Sequence, residues 1–331
     1  MTFRSDEIGN RLKAYRLGSG LSAEEIANKL GISRTALYRF EKGELAKIDT
    51  LDRLAELLGV SIPTLLGVGI EYIPSAVTYF ERVRQLEETA EHIVVLAGPI
   101  SFLLASDSFL PTLQEVLTEN ISKNSFDRTR ALNDIPKIID ILQQRKDSYR
   151  QRMPHVVNLI SALELERFLD HGFIGSSDLS KEVRAHREML ARREIEHFAS
   201  IVEAQPIGVQ IGIVLDTLPN TGFQIIRQPD RKCLVLSPFR LGGEPNVSVG
   251  VAMITSAPDA ISLHEKSINA MWARALKGPE AAACIRHLLA NPGKPIDRNE
   301  FAKFYANGAP SSLDVAREEE PGVTNIRNHR R

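Results

Sequence analysis

Arg34, Thr35, Tyr38 and Arg39 are spaced so that a helix would carry all of them on one side. The two guanidiniums present forks of donors that match the paired acceptors on a guanine edge. The threonine hydroxyl and the tyrosine phenol can each donate or accept. The chemistry on offer is non-covalent recognition of double-stranded DNA.

Such a face works only if something holds it rigidly outward. Ser22 and Glu25 form the Ser-x-x-Glu pattern of a capping box, and predict a helix that carries Ile26, Ala27 and Leu30 inward. Ala27 is small enough to lie where two helices cross. Gly31 supplies a turn with positive φ. Ile32 closes that turn, Ser33 caps the next helix, and Leu37 and Phe40 face inward until Gly43. Upstream, Ile8, Leu12 and Tyr15 recur at helical spacing. Downstream, Asp49 or Thr50 opens a helix with Leu51, Leu54, Ala55 and Leu58, and Ser61 with Pro63 opens a short fifth one. The pattern predicts a helix-turn-helix inside a five-helix unit.

This stretch resembles the lambda repressor/Cro-type, or XRE-like, helix-turn-helix family. The resemblance rests on Ile8-Gly9, Arg16, Leu21-Ser22, Glu25-Ile26-Ala27, Gly31-Ile32-Ser33, Leu37, Glu41, Gly43, Leu54-Ala55 and Leu58-Gly59-Val60. It implies an all-α DNA-binding domain over residues 1–66, usually working as a dimer on an inverted repeat. It also implies that Ser33, Arg34, Thr35, Tyr38 and Arg39 lie on the DNA side, that Lys42 and Lys47 approach phosphates, and that Arg16 and Glu41 form an internal ion pair. Where the family commonly starts its second helix with glutamine, this chain has Ala23, so that contact is missing or shifted.

The remaining chain is far longer than a dimerisation helix requires. Residues 67–75 read as a linker and 77–91 as a connector helix, together the 67–92 segment. Strand-like runs at His92–Ala97, Val156–Ile160, Ile207–Leu215, Phe223–Gln228, Lys232–Ser237 and Val247–Ile254 alternate with helical stretches. Pro136 is expected in a first helical turn, Ala162–His171 and 181–203 as helices, and two more helices follow Pro258 and span 279–290. The expectation is a multidomain chain whose larger α/β or α+β domain covers 93–304 and senses or dimerises, with 305–331 as a disordered tail.

Enzymatic constellations are incomplete. Ala97-Gly98 resembles the scissile pair of self-cleaving repressors, but no Ser-Met nucleophile context occurs. His264-Glu265 begins a zinc-protease HExxH motif, and position 268 is isoleucine. The same histidine with Lys266 begins a phospholipase D-like signature whose aspartate position is Met271. Element order weakly resembles a catalytically dead phospholipase D-like module. No enzyme, cofactor or metal is expected. The alternatives are an enzyme tethered to a DNA reader and an antitoxin-like repressor with a protein partner. Strand ends nominate Asn158, Ser161, Asp216, Asn220, Ser237 and Arg240 for a small-molecule effector. Arg184, His186, Arg187, Arg192 and Arg193 read as a solvated helix face.

Composition frames these readings. The 331 residues include 41 basic and 42 acidic ones, a formal net charge of −1, so partners are not announced by gross charge. Residues 1–70 hold ten basic and nine acidic residues, which predicts few phosphate contacts and a need for a second subunit. Two cysteines without metal spacing suggest reduced thiols in a cytoplasm, and no apolar run is long enough to cross a membrane.

Overall fold

The computed structural model describes residues 4–44, 46–96, 98–121, 127–174, 179–215, 218–219 and 222–293. Five helices open the chain: α1 (Ser5–Ser19), α2 (Ala23–Leu30), α3 (Arg34–Glu41), α4 (Ile48–Leu58) and α5 (Ile62–Leu66). Their local causes are visible. Ser22 Oγ accepts from Glu25 N while the Glu25 carboxylate accepts from Ser22 N, a closed capping box on α2. Gly31, at φ 68°, ends that helix, and Ile32 N returns to Ala27 O at 3.0 Å. Leu12, Ile26, Leu30, Leu37 and Leu54 form the core of this helical unit. Gly9 lets α1 cross the end of α3 closely, since a Cβ there would meet the carbonyl oxygens of Phe40 and Glu41 at 2.6 Å.

The segment read as a linker instead holds a strand, β1 (Ile70–Ile73). The alternation of exposed Ile70 and Tyr72 with buried Glu71 and Ile73 is too short to stand out between glycines and a proline. The chain continues through α6 (Ala76–Glu87), β2 (His92–Leu96), a 3₁₀ turn (Phe102–Leu104), α7 (Phe109–Glu119) and α8 (Arg128–Arg152). Pro136 lies inside α8 and not in its first turn, because the helix starts at Arg128, seven residues before the apolar stripe begins at Ile135. Then come β3 (His155–Ser161), α9 (Ala162–His171), α10 (Lys181–Ala204), β4 (Val209–Val214), β5 (Gly222–Arg227), β6 (Lys232–Ser237), β7 (Ala252–Thr255), α11 (Pro258–Arg274), β8 (Leu276–Lys277) and α12 (Gly278–Ala290). The expected strand from Val247 is only its last part, because Gly250 at φ 140° keeps the preceding residues in a loop.

The strands form one mixed sheet in the order β1-β7-β6-β5-β2-β3-β4-β8. β2, β3 and β4 run parallel, and the flanking pairs are antiparallel. On one face Leu96, Leu159, Phe223, Ile225 and Leu234 pack against Ile261, Ile268 and Met271 of α11. The fold is thus a helical unit followed by a larger mixed α/β domain. The supposed solvated face of α10 is only partly so: Arg187 is buried, and its guanidinium donates to Glu119 at 2.7 Å, tying α10 to α7. The 305–331 tail and the end of the 93–304 segment lie outside the described residues.

Burial and the facing His155 ring push the His92 imidazole below its ordinary value of 6.5. The unfolded chain therefore takes up this proton at a higher pH than the folded chain. Its contribution to stability is present above about pH 6.5 and lost as pH falls through that value. The urea midpoint is expected to drop between about pH 7.5 and about pH 5.5, and His92→Gln to flatten that slope. An unchanged slope in the variant would contradict the assignment.

Candidate nucleic-acid interface

Helix α3 divides sharply between its two sides. Leu37 and Glu41 are buried, whereas Arg34, Thr35, Tyr38, Arg39 and Lys42 are all exposed. Ser33 Oγ accepts from Ala36 N at 3.1 Å, so its hydroxyl is used as a helix cap. Arg34 sits 5.9 Å from the Tyr38 ring centre, which holds the two side chains together. Lys47 precedes α4 and is exposed. Ala23 is buried in the helical core and offers no polar contact.

Two carboxylates shape this face. The Arg16 guanidinium makes a two-pronged ion pair with the buried Glu41, Nη2 reaching Oε2 at 3.1 Å. That pair joins α1 to α3 and fixes the angle at which α3 is presented. Glu44 was not anticipated from sequence. Arg39 Nε and Nη2 donate to its two oxygens at 2.5 Å each, so this carboxylate occupies two of the five guanidinium donors and offsets the Arg39 charge. The only sequence signal was the bare spacing of a glutamate five residues on. Lys47→Ala is expected to weaken binding to all duplexes alike and to lower the salt slope by about one. A loss confined to one sequence would instead mark Lys47 as a base contact.

The helical unit is tied to the larger domain through α6, which is buried along most of its length. Gln85 Nε2 donates to Asn10 O at 3.0 Å, Tyr15 Oη donates to Tyr72 O at 3.1 Å, and Arg130 Nη2 donates to Gly18 O at 3.0 Å. Arg82 grips Glu71 with Nε at 2.8 Å and Nη2 at 3.2 Å. Arg11 stands 3.4 Å from the same carboxylate, and burial plus the nearby Arg82 charge lower its guanidinium pKa. Glu7 reaches Arg231 at 2.5 Å. Charges of this kind, withdrawn from water, resist separation more than surface pairs do.

The effector residues nominated from strand ends divide three ways. Asp216 and Asn220 lie outside the described residues. Asn158 is fully buried and donates through Nδ2 to Val95 O at 3.2 Å, while Ser161 is buried and accepts from Leu163 N at the start of α9. Ser237 and Arg240 line a common cavity of about 140 Å³ between the sheet and α6 and α8. Sequence reasoning missed the groups that dominate that cavity: Tyr79, Gln224 and Arg145. Gln224 interrupts an otherwise apolar run on β5, a signal that the strand-end rule does not use.

His264 Nδ1 donates to Ala260 O of its own helix at 2.8 Å, and its ring packs edge-on against Phe223. Both cysteines are buried and unpaired by a disulfide, and burial pushes the Cys284 thiol up to about 12. Among the described residues no cluster of histidine, cysteine, aspartate or glutamate could hold a metal ion, and no helix is long and apolar enough to cross a membrane.

Residues 12–65 match a protein-family model described as helix-turn-helix. The matched stretch contains α2, α3 and α4 in full, and supports a DNA-binding, regulatory role for this end of the chain. A phosphatidylserine synthase from Haemophilus influenzae Rd KW20 is a similar solved structure, at 11% sequence identity and a TM-score of 0.37. That likeness covers 86% of this chain and 59% of the other, so the chain spans well under two thirds of that protein's length. At this score it carries no argument about fold or chemistry.

Proposed function

We propose that the chain is a sequence-specific DNA-binding transcriptional regulator that reads an operator through α3. The observation that carries this reading is the polarity of that helix: its recognition side chains are exposed together while Leu37 and Glu41 anchor it from behind. Arg34 is the residue best shaped to grip a guanine edge, with Thr35 and Tyr38 beside it. Ser33 fixes the start of the helix, and Lys42 and Lys47 steady the backbone of the duplex.

The helical unit is nearly neutral overall, so non-specific attraction is weak and two copies are needed for useful affinity. The protein therefore binds as a homodimer on an inverted repeat, in a cytoplasm. The larger domain dimerises it and takes a small-molecule effector. Helix α6 supports this division of labour: Glu81 and Gln85 approach or engage the DNA-reading unit, and Tyr79 and Phe80 line the cavity. A ligand that moves α6 shifts the spacing between two recognition helices.

The test is genome-wide mapping of the tagged full-length chain. The expected outcome is a small set of sharp sites sharing an inverted repeat. Uniform occupancy, or none above background, would remove the operator reading.

A further inference from the structure

We propose that the cavity between the sheet, α6 and α8 takes an uncharged single-ring molecule carrying one hydrogen-bond donor. The inference rests on the effector reading above and gives it a chemical class. Size comes first. A volume of about 140 Å³ is close to that of apolar cavities that admit a benzene ring. The walls agree, since Tyr79 and Phe80 from α6, Phe102 from the 3₁₀ turn and Phe239 after β6 all face it. Aromatic walls favour a flat ring through edge and offset contacts.

Polarity sets the rest. Gln224 Oε1 is buried in the cavity wall and receives no hydrogen bond among the described residues. It stands opposite Val95 in the β2–β5 register, and Val95 stands opposite Asn158, whose Oδ1 is buried and likewise without a donor. Strands β5 and β3, on either side of β2, therefore carry unmet acceptors on the same sheet face, and Gln224 is the one of the two that lines the cavity. An unmet buried acceptor is costly, and a ligand donor relieves that cost. An anion is disfavoured because the deficit is in donors. Of the charges at the wall, Arg145 is already bound by both oxygens of Glu87 at 2.8 Å and covered by Phe102, and Arg240 and Glu164 bring one charge of each sign, so the wall selects neither ion. The site lies beyond the carboxyl end of the parallel strand β2, where open α/β sheets hold their ligands.

Calorimetric titration of the full chain with phenol, benzene and pyridine tests the assignment. All three are one ring, and they differ in offering a donor, nothing, or an acceptor. Phenol is expected to bind about tenfold more tightly than the other two. Gln224→Leu, checked for an unchanged melting profile, is expected to abolish that preference while leaving benzene binding in place. Equal affinities, a preference for pyridine, no binding of any probe, or a phenol preference that survives Gln224→Leu would each overturn the proposal. Operator affinity is measured in parallel with and without phenol. A chain that prefers phenol but binds no operator refutes the regulator reading and leaves the cavity assignment standing. A chain that binds operator but none of the probes does the reverse.

Discussion

Arg34→Ala is expected to lower affinity for the proposed operator by about 1–3 kcal/mol, roughly 5- to 150-fold, and to leave affinity for random duplex nearly unchanged. The argument is geometric. Arg34 is exposed on the first turn of α3 and is steadied by Tyr38, and no ion pair holds it among the described residues. A bidentate contact from such a group is made with little reorganisation. Arg39→Ala is expected to lose less, because Glu44 occupies two of the Arg39 donors and offsets its charge. Glu44→Gln accordingly tightens binding, and does so on random duplex as well, since it releases a positive charge toward phosphate. Fluorescence anisotropy on cognate and random duplexes at one fixed salt concentration checks the order. A larger loss for Arg39→Ala than for Arg34→Ala would mean that the Glu44 pair does not restrain Arg39 in solution.

Glu87→Gln is expected to destabilise the fold by about 3–5 kcal/mol. Arg145 and Glu87 are both almost completely withdrawn from solvent and join α8 to α6 through two parallel hydrogen bonds. Burial opposes the Arg145 charge, and Glu87 more than offsets it, so the guanidinium is held above its ordinary range. Removing the carboxylate leaves an arginine buried without a counter-ion, with only the rings of Phe80 and Phe102 to face. The paired change Glu87→Leu with Arg145→Met removes both charges and is expected to recover most of the loss. Urea midpoints of the three chains decide the matter. A double variant no more stable than Glu87→Gln would show that the helices are held by shape and not by charge pairing.

The helix-turn-helix was legible because its determinants are local. A capping serine, a glycine at the turn and an inward leucine act within a few residues of one another, and Ser22, Gly31 and Leu37 do what their types require. Glu44 escaped notice because an exposed glutamate has no pattern of its own, and only the fold of the α3–α4 connection brings it against Arg39. The larger domain was legible as alternating strands and helices. Strand β1 was hidden because its partner β7 lies about 180 residues away, so pairing and not local propensity makes it a strand. The start of α8 was misplaced for the opposite reason: its first turns carry few apolar residues, so the stripe begins late. The cavity was hardest. Tyr79, Arg145 and Gln224 come from three elements far apart in the chain, and a rule about strand ends could reach only Ser237 and Arg240. Arg187 was misread because a buried arginine on a basic helix looks no different from its solvated neighbours until the acidic helix that pairs with it is in place.

The most direct test of sequence-specific reading by α3 is selection of bound duplexes from a random library by the full-length chain, with Arg34→Ala run alongside. The native chain is expected to enrich an inverted repeat whose half-sites lie about one helical turn apart, with a guanine at one fixed position in each half. Arg34→Ala is expected to lose the preference at that position and keep the others. Failure of the native chain to enrich any sequence, or enrichment of the same guanine by the variant, would contradict the account.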